Sequence, residues 1–201
     1  RYLPDLEGFI DGPLNAEERT LLGKDQEQWL QEMLQQSQKR GSTWQIIGQQ
    51  VLMGKLFIPA LSDEELQLNQ LPKSRAALFK SMQSMAGQGL PFNLDAWDGY
   101  AACRARVQEN MRRYAANPVV LAGDTHNAWA FNLRDEQKNT VGVEVGTPGI
   151  TSPGMESFLP VQPAVLNTAL KNSRPERVEV ETQNRGWAEI EFTPQTLRAR
   201  W

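Results

Sequence analysis

Stretches of helical period alternate with short, β-branched apolar runs over the first two thirds of this chain, and that alternation restricts what it can fold into. Between residues 24 and 38, Trp29, Leu30, Met33 and Leu34 fall on one stripe among Gln and Glu, and Gly41 ends the helix this spacing predicts. "TWQIIG" (43–48) follows as an expected buried strand, ending in Gln49 and Gln50. A second helix is expected from 73 to about 86, with Leu78, Met82 and Met85 on one face. A third starts at Asp98 or Gly99 and runs to Tyr114. Its inner stripe is Tyr100, Cys103, Val107, Met111 and Tyr114; its outer face is Arg104, Arg106, Glu109, Arg112 and Arg113. Asn117-Pro118 breaks it, and "VVLAG" and "TVGVEVG" are the next strands. Beyond the Gly- and Pro-rich loop "GTPGITSPG" and a short helix over 163–172, "RVEVET", "WAEIEF" and "LRARW" alternate as a closing antiparallel meander. The expectation is a layered α/β fold with a mixed sheet.

Composition narrows the class. At 201 residues, 40% hydrophobic and 22% charged, the chain can build one sizeable core or two small ones. A net charge of −3 gives no basic field for nucleic acid, and no run approaches the ~20 apolar residues of a membrane span. The single cysteine, Cys103, excludes an intramolecular disulfide and, lying on the apolar stripe, reads as a packed core thiol. Residues 1–22, punctuated by Pro4, Gly8, Gly12 and Pro13, read as a loop, and 53–72 as an excursion outside the core. "RYLPDLEGF" lacks the apolar region of a signal peptide. An opening Arg1 implies a processed protein or part of a longer one.

The residues able to carry chemistry gather after strands. "VVLAGDTHNAW" ends an apolar run in Gly123, Asp124 and the only histidine, His126. If the backbone stays extended past Gly123, the carboxylate and imidazole point the same way and can bind a metal or share a proton. The same letters also suit a strand ending in a solvated turn, and two ligands alone are too few for a metal cage. Gln49 and Gln50 can hold a substrate oxygen or a metal-bound water, or simply satisfy a strand end. In "DAWDGY" (95–100), Asp98 is placed to cap the following helix. Ser152 lies in a loop, and no G-x-S-x-G stretch supports a serine nucleophile paired with His126.

Taken together, "LGKDQEQWLQEML", "TWQIIGQQVLM", "DAWDGYAACRARV", "NPVVLAGDTHNAWAFNL", "GVEVGTPGITSPG" and "NRGWAEIEFTP" resemble, in order, the C-terminal half of PhoD-type alkaline phosphatases of the calcineurin-like metallophosphoesterase superfamily. The resemblance implies one sheet-and-helix half of a four-layer α/β/β/α sandwich. It implies hydrolysis of phosphate monoesters or diesters, and export to the periplasm or beyond. It also implies two neighbouring metal ions, iron together with calcium. On it, Gly123-Asp124-Thr125-His126 stands at the last ligand motif, with Asp124 and His126 each ligating one metal. Gln49 and Gln50 stand where the superfamily often has another ligand and would line the site. Trp97, Asp98 and Tyr100 would sit near its mouth, and Asn127 would contact substrate or support the ligand loop.

The superfamily's earlier ligand motifs are absent, and Asp5, Asp11 and Asp63 lack strand context. Two consequences are expected: weak metal binding by this chain alone, and an exposed sheet face inviting a homodimer or pairing with an N-terminal half. The competing reading is a non-catalytic binding or assembly module of the same fold.

Overall fold

A computed structural model describes residues 5–201, so positions 1–4 of the expected opening loop lie outside the described residues. The rest of that opening is not wholly irregular. A short helix α1 (Leu6–Phe9), capped by the Asp5 carboxylate on Gly8 N, runs into one wide turn over Ile10–Leu14.

The remaining helices are α2 (Lys24–Lys39), α3 (Lys73–Gly87), α4 (Ala101–Tyr114) and α5 (Pro163–Ser173). Seven strands accompany them: β1 (Gln45–Gly48), β2 (Pro118–Ala122), β3 (Ala128–Arg134), β4 (Thr140–Gly146), β5 (Arg177–Glu181), β6 (Glu189–Phe192) and β7 (Leu197–Arg200). Five form a mixed sheet in the order β1-β2-β4-β3-β5, with β1, β2 and β4 parallel and β3 antiparallel to both its neighbours. The expected α/β architecture is therefore present. The closing meander is not continuous: β5 joins the main sheet, whereas β6 and β7 pair only with each other. β3 had no counterpart in the sequence reading. Its alternation puts Trp129, Phe131 and Leu133 fully inside.

Register sorts the sheet into two faces. Ile47, Val120, Glu144 and Phe131 form one row across it. On that face Val120, Trp129, Phe131 and Leu133 pack in one cluster with Val107 and Met111 of α4 and Leu166 and Leu170 of α5. The supposed excursion belongs to this cluster, through Leu52, Met53, Leu56, Leu61, Leu66 and Leu68. Gly54 shows how closely it lies: a Cβ there would come within 2.5 Å of the Phe131 ring.

The other face is neither bare nor sealed. Val119 and Val145 are buried, Leu121 and Val143 half-buried, and Ile46 exposed. β1 is thus a half-open edge strand, not a buried one. The β6–β7 ribbon is fastened nearby, where the Trp44 indole meets Phe192 edge-on at 5.6 Å and donates to Thr193 O at 2.7 Å. Trp201 donates in turn to Gly146 O at 2.9 Å.

Two expectations about helices change. Arg104, assigned to the outer face of α4, turns inward and is 4% exposed because it pairs with the buried Asp98. Leu78 of α3 is 56% exposed, and Phe79 takes the core position instead.

Candidate active site

The carboxyl ends of the three parallel strands share one edge of the sheet, with Gly48 beside Leu121 and Ala122 beside Gly146. Ligands collect at such edges because the strands stop there while loops diverge. Here the loop ends are stitched together by main-chain bonds. Gln49 N donates to Leu121 O, Gly123 N to Gln50 O and Thr147 N to Ala122 O. The segment after β2 is not extended, as the side-by-side placement of Asp124 and His126 had assumed. Asp124 (φ 69°) and His126 (φ 59°) are both left-handed, a conformation unfavourable for residues with a Cβ that concentrates at functional turns. They nevertheless share a cleft of about 590 Å³.

The turn is held from several sides. Trp129 Nε1 donates to Thr125 Oγ1 at 2.7 Å, and Arg185 Nη1 donates to His126 O at 2.5 Å while pairing with Glu156. His126 Nδ1 lies 2.9 Å from Pro153 O. A carbonyl can only accept, so Nδ1 carries the proton and the lone pair resides on Nε2. Asn127 is completely buried. It donates to Thr182 O at 2.9 Å and accepts from Met155 N at 3.1 Å, locking the turn to the 147–157 loop. Of its two expected roles, loop support is what these bonds describe.

The other candidates are placed differently. Trp97 is 2% exposed and donates to Gln49 Oε1 at 2.8 Å. Asp98 does not cap α4; its carboxylate accepts from Leu56 N at 2.7 Å and pairs with Arg104 in the interior. Tyr100 stacks beneath the Arg19 guanidinium, 4.6 Å from the ring centre. None of the three lines the cleft of Asp124 and His126. Gln50 is exposed at the strand-end edge.

Glu144 was missed. Only 1% exposed, it lies in the middle of β4 and accepts from Met53 N at 2.7 Å and Gly54 N at 2.8 Å, with Gln49 Nε2 at 3.4 Å. Burial pushes its pKa up from 4.5 to about 7, against the pull of the two amides. Arg75, residues 152–155, Phe158 and Leu159 also border the cleft. Nothing local marks these residues as neighbours of His126, and only the folded chain brings them there.

Asp124 and His126 offer one hard oxygen donor and one free imidazole nitrogen, the chemistry of two ligands in a metal centre. Among the described residues there is no group of three or more His, Cys, Asp or Glu able to hold a metal ion. The donor set fits part of a centre.

A profile of the family described as PhoD-like phosphatase matches residues 7–201. The chain belongs to this family. Among characterised PhoD-like relatives, alkaline phosphatase D of Bacillus subtilis (strain 168) is 32% identical over 141 residues, covering 68% of this chain and 19% of that protein. A solved structure titled "Structure of PhoD" superposes with a TM-score of 0.61 at 26% identity, over 91% of this chain and 30% of that one. The chain thus spans about a fifth to a third of the relatives it matches. No helix among the described residues is long and apolar enough to cross a membrane.

Proposed function

We propose that this chain is the C-terminal portion of a metal-dependent phosphoester hydrolase, in which Asp124 and His126 supply two of the ligands of a two-metal centre. One observation carries the reading. Both residues sit in left-handed backbone on a single clamped turn, and the Pro153 carbonyl fixes His126 in the tautomer that leaves Nε2 free. Bound metal would lower the pKa of a water and polarise the phosphoryl oxygens. The chain's own part is to hold the imidazole ring and the carboxylate at the end of β2. Asn127 and Arg185 keep that turn in place. Arg75 brings a positive charge to the same cleft, suited to the ester's phosphate. Iron with calcium matches the donor pair, and export matches the family resemblance. The remaining ligands then belong to a portion outside this chain, and the half-open outer face around Ile46 is where that portion or a second copy would pack.

The test uses the whole protein with iron and calcium supplied, and an aryl phosphate monoester and diester as substrates. Asp124→Asn and His126→Gln should each lower kcat/KM by at least about a hundredfold and reduce bound metal measured by elemental analysis. Unaltered turnover and metal content in both variants would overturn the assignment. The shortage of ligands also favours a second reading, a non-catalytic module of the same fold. Whole protein that binds phosphate esters without turning them over would establish that reading instead.

A further inference from the structure

The cleft beside Asp124 and His126 is unusually apolar for a site that handles phosphate: Leu56, Phe79, Met155 and Leu159 line it from the core, and large apolar side chains that are not buried line it as well. Leu78 on α3 is 56% exposed, Phe92 38% and Phe158 67%. These three large side chains border one concavity together with Met82, Met155 and the turn of Asp124 and His126. α3 explains the arrangement. Phe79 is buried yet also borders the cleft, and Leu78 and Met82, four residues apart, extend that apolar lining outward. Arg75, one turn before Leu78, adds a cation on the same wall. Isolated exposed leucines need no explanation, but converging ones around a cleft of about 590 Å³ do. That volume lies in the range of small-molecule sites, which combine apolar walls with a few polar groups that set orientation.

We infer that this cleft receives the organic group of the ester, and that the group is compact and apolar, such as an aryl, benzyl or branched alkyl residue. The inference rests on the proposed phosphoester hydrolysis at the same site. In this arrangement Asp124, His126 and Arg75 face the phosphate end. Leu78, Phe92 and Phe158 enclose the alcohol end, where a polyol such as glycerol would lose hydrogen bonds to water without replacing them.

The experiment compares benzyl phosphate with glycerol phosphate on the whole protein, since both release an alkoxide of similar basicity. Benzyl phosphate should be favoured in kcat/KM by at least about tenfold, and Leu78→Ser with Phe158→Ser should bring the ratio close to one. Circular dichroism checks that the variant, altered at two exposed positions, still folds. Equal or reversed preference in the parent protein overturns the inference and leaves phosphoester hydrolysis standing. If neither monoester is hydrolysed, calorimetry with the stable analogues benzylphosphonate and methylphosphonate decides the inference, while the proposed activity is judged separately on the aryl diester. Tighter binding of benzylphosphonate, weakened by the double substitution, supports it. Equal binding, or none because another segment of the longer protein fills the cleft, refutes it.

Discussion

Glu144→Gln gives a quantitative test of the polar interior. The carboxyl group is buried beneath the 52–56 segment and faces two main-chain amides. Burial raises its pKa from 4.5 to about 7, more than the amides lower it, so the folded protein binds this proton more tightly than the unfolded chain. The group's contribution to stability is therefore fully present below pH 4.5 and is lost as the pH rises to about 7. At about 1.4 kcal/mol per pH unit, the displacement from 4.5 to about 7 amounts to a loss of about 3 kcal/mol. The amide of Glu144→Gln does not titrate, so it removes this loss. It also replaces one acceptor oxygen by a donor, leaving Met53 N or Gly54 N without a partner at a cost of about 1–3 kcal/mol at every pH. Urea unfolding at about pH 4.5 and about pH 8 should show the parent well ahead at the acid end. That lead should shrink by about 3 kcal/mol, to nothing or a reversal, at the alkaline end. Parallel stability curves, within about 0.5 kcal/mol, would mean the amides hold Glu144 ionised in the fold and would refute the dominance of burial.

Two further substitutions probe the frame of the site. Asp98→Asn leaves Arg104, 4% exposed, charged and without its counter-ion, and should cost about 3–5 kcal/mol in chemical denaturation. Gly154→Ala would place a Cβ 2.2 Å from Asn127 Nδ2. It should push Asn127 off Thr182 O and Met155 N, costing about 2 kcal/mol or more and broadening the His126 ring resonances in NMR. An unchanged midpoint with sharp His126 signals would show that the loop can yield there.

The period of α2 and α4 and the isolated β-branched strands were legible because each is a local pattern serving one buried face. The position of Asp124 and His126 after β2 was legible for the same reason: an apolar run that stops in glycine marks a strand end. What stayed hidden depends on partners distant in sequence. Arg104 sits among charged residues and looks like surface; only its pairing with Asp98 makes burial tolerable. Glu144 alternates with Val143 and Val145 and looks like the wet side of a strand, yet the amides of Met53 and Gly54 admit it to the core. β3 carries a clear period of two in Trp129, Phe131 and Leu133, so its signal was present and unused. Asp98, three residues before α4, shows the opposite error, a plausible cap whose carboxylate is taken instead by Arg104 and the Leu56 amide.

The order of strands has a consequence for how the site comes into being. β2 and β3 are consecutive in the chain but not adjacent in the sheet, because β4 occupies the lane between them. The turn that carries Asp124 and His126 is therefore a bridge across a gap of two strand spacings, about 10 Å. Until residues 140–146 enter that lane, nothing fixes the span of the bridge. Thr147 N on Ala122 O, and the 147–157 loop that clamps Asn127 and His126, can form only afterwards. Nascent chain that has emerged only through His126 thus carries the motif without its geometry. The geometry of the turn arrives late, with the insertion of one central strand, and any delay in that step leaves the histidine and the aspartate exposed and unplaced.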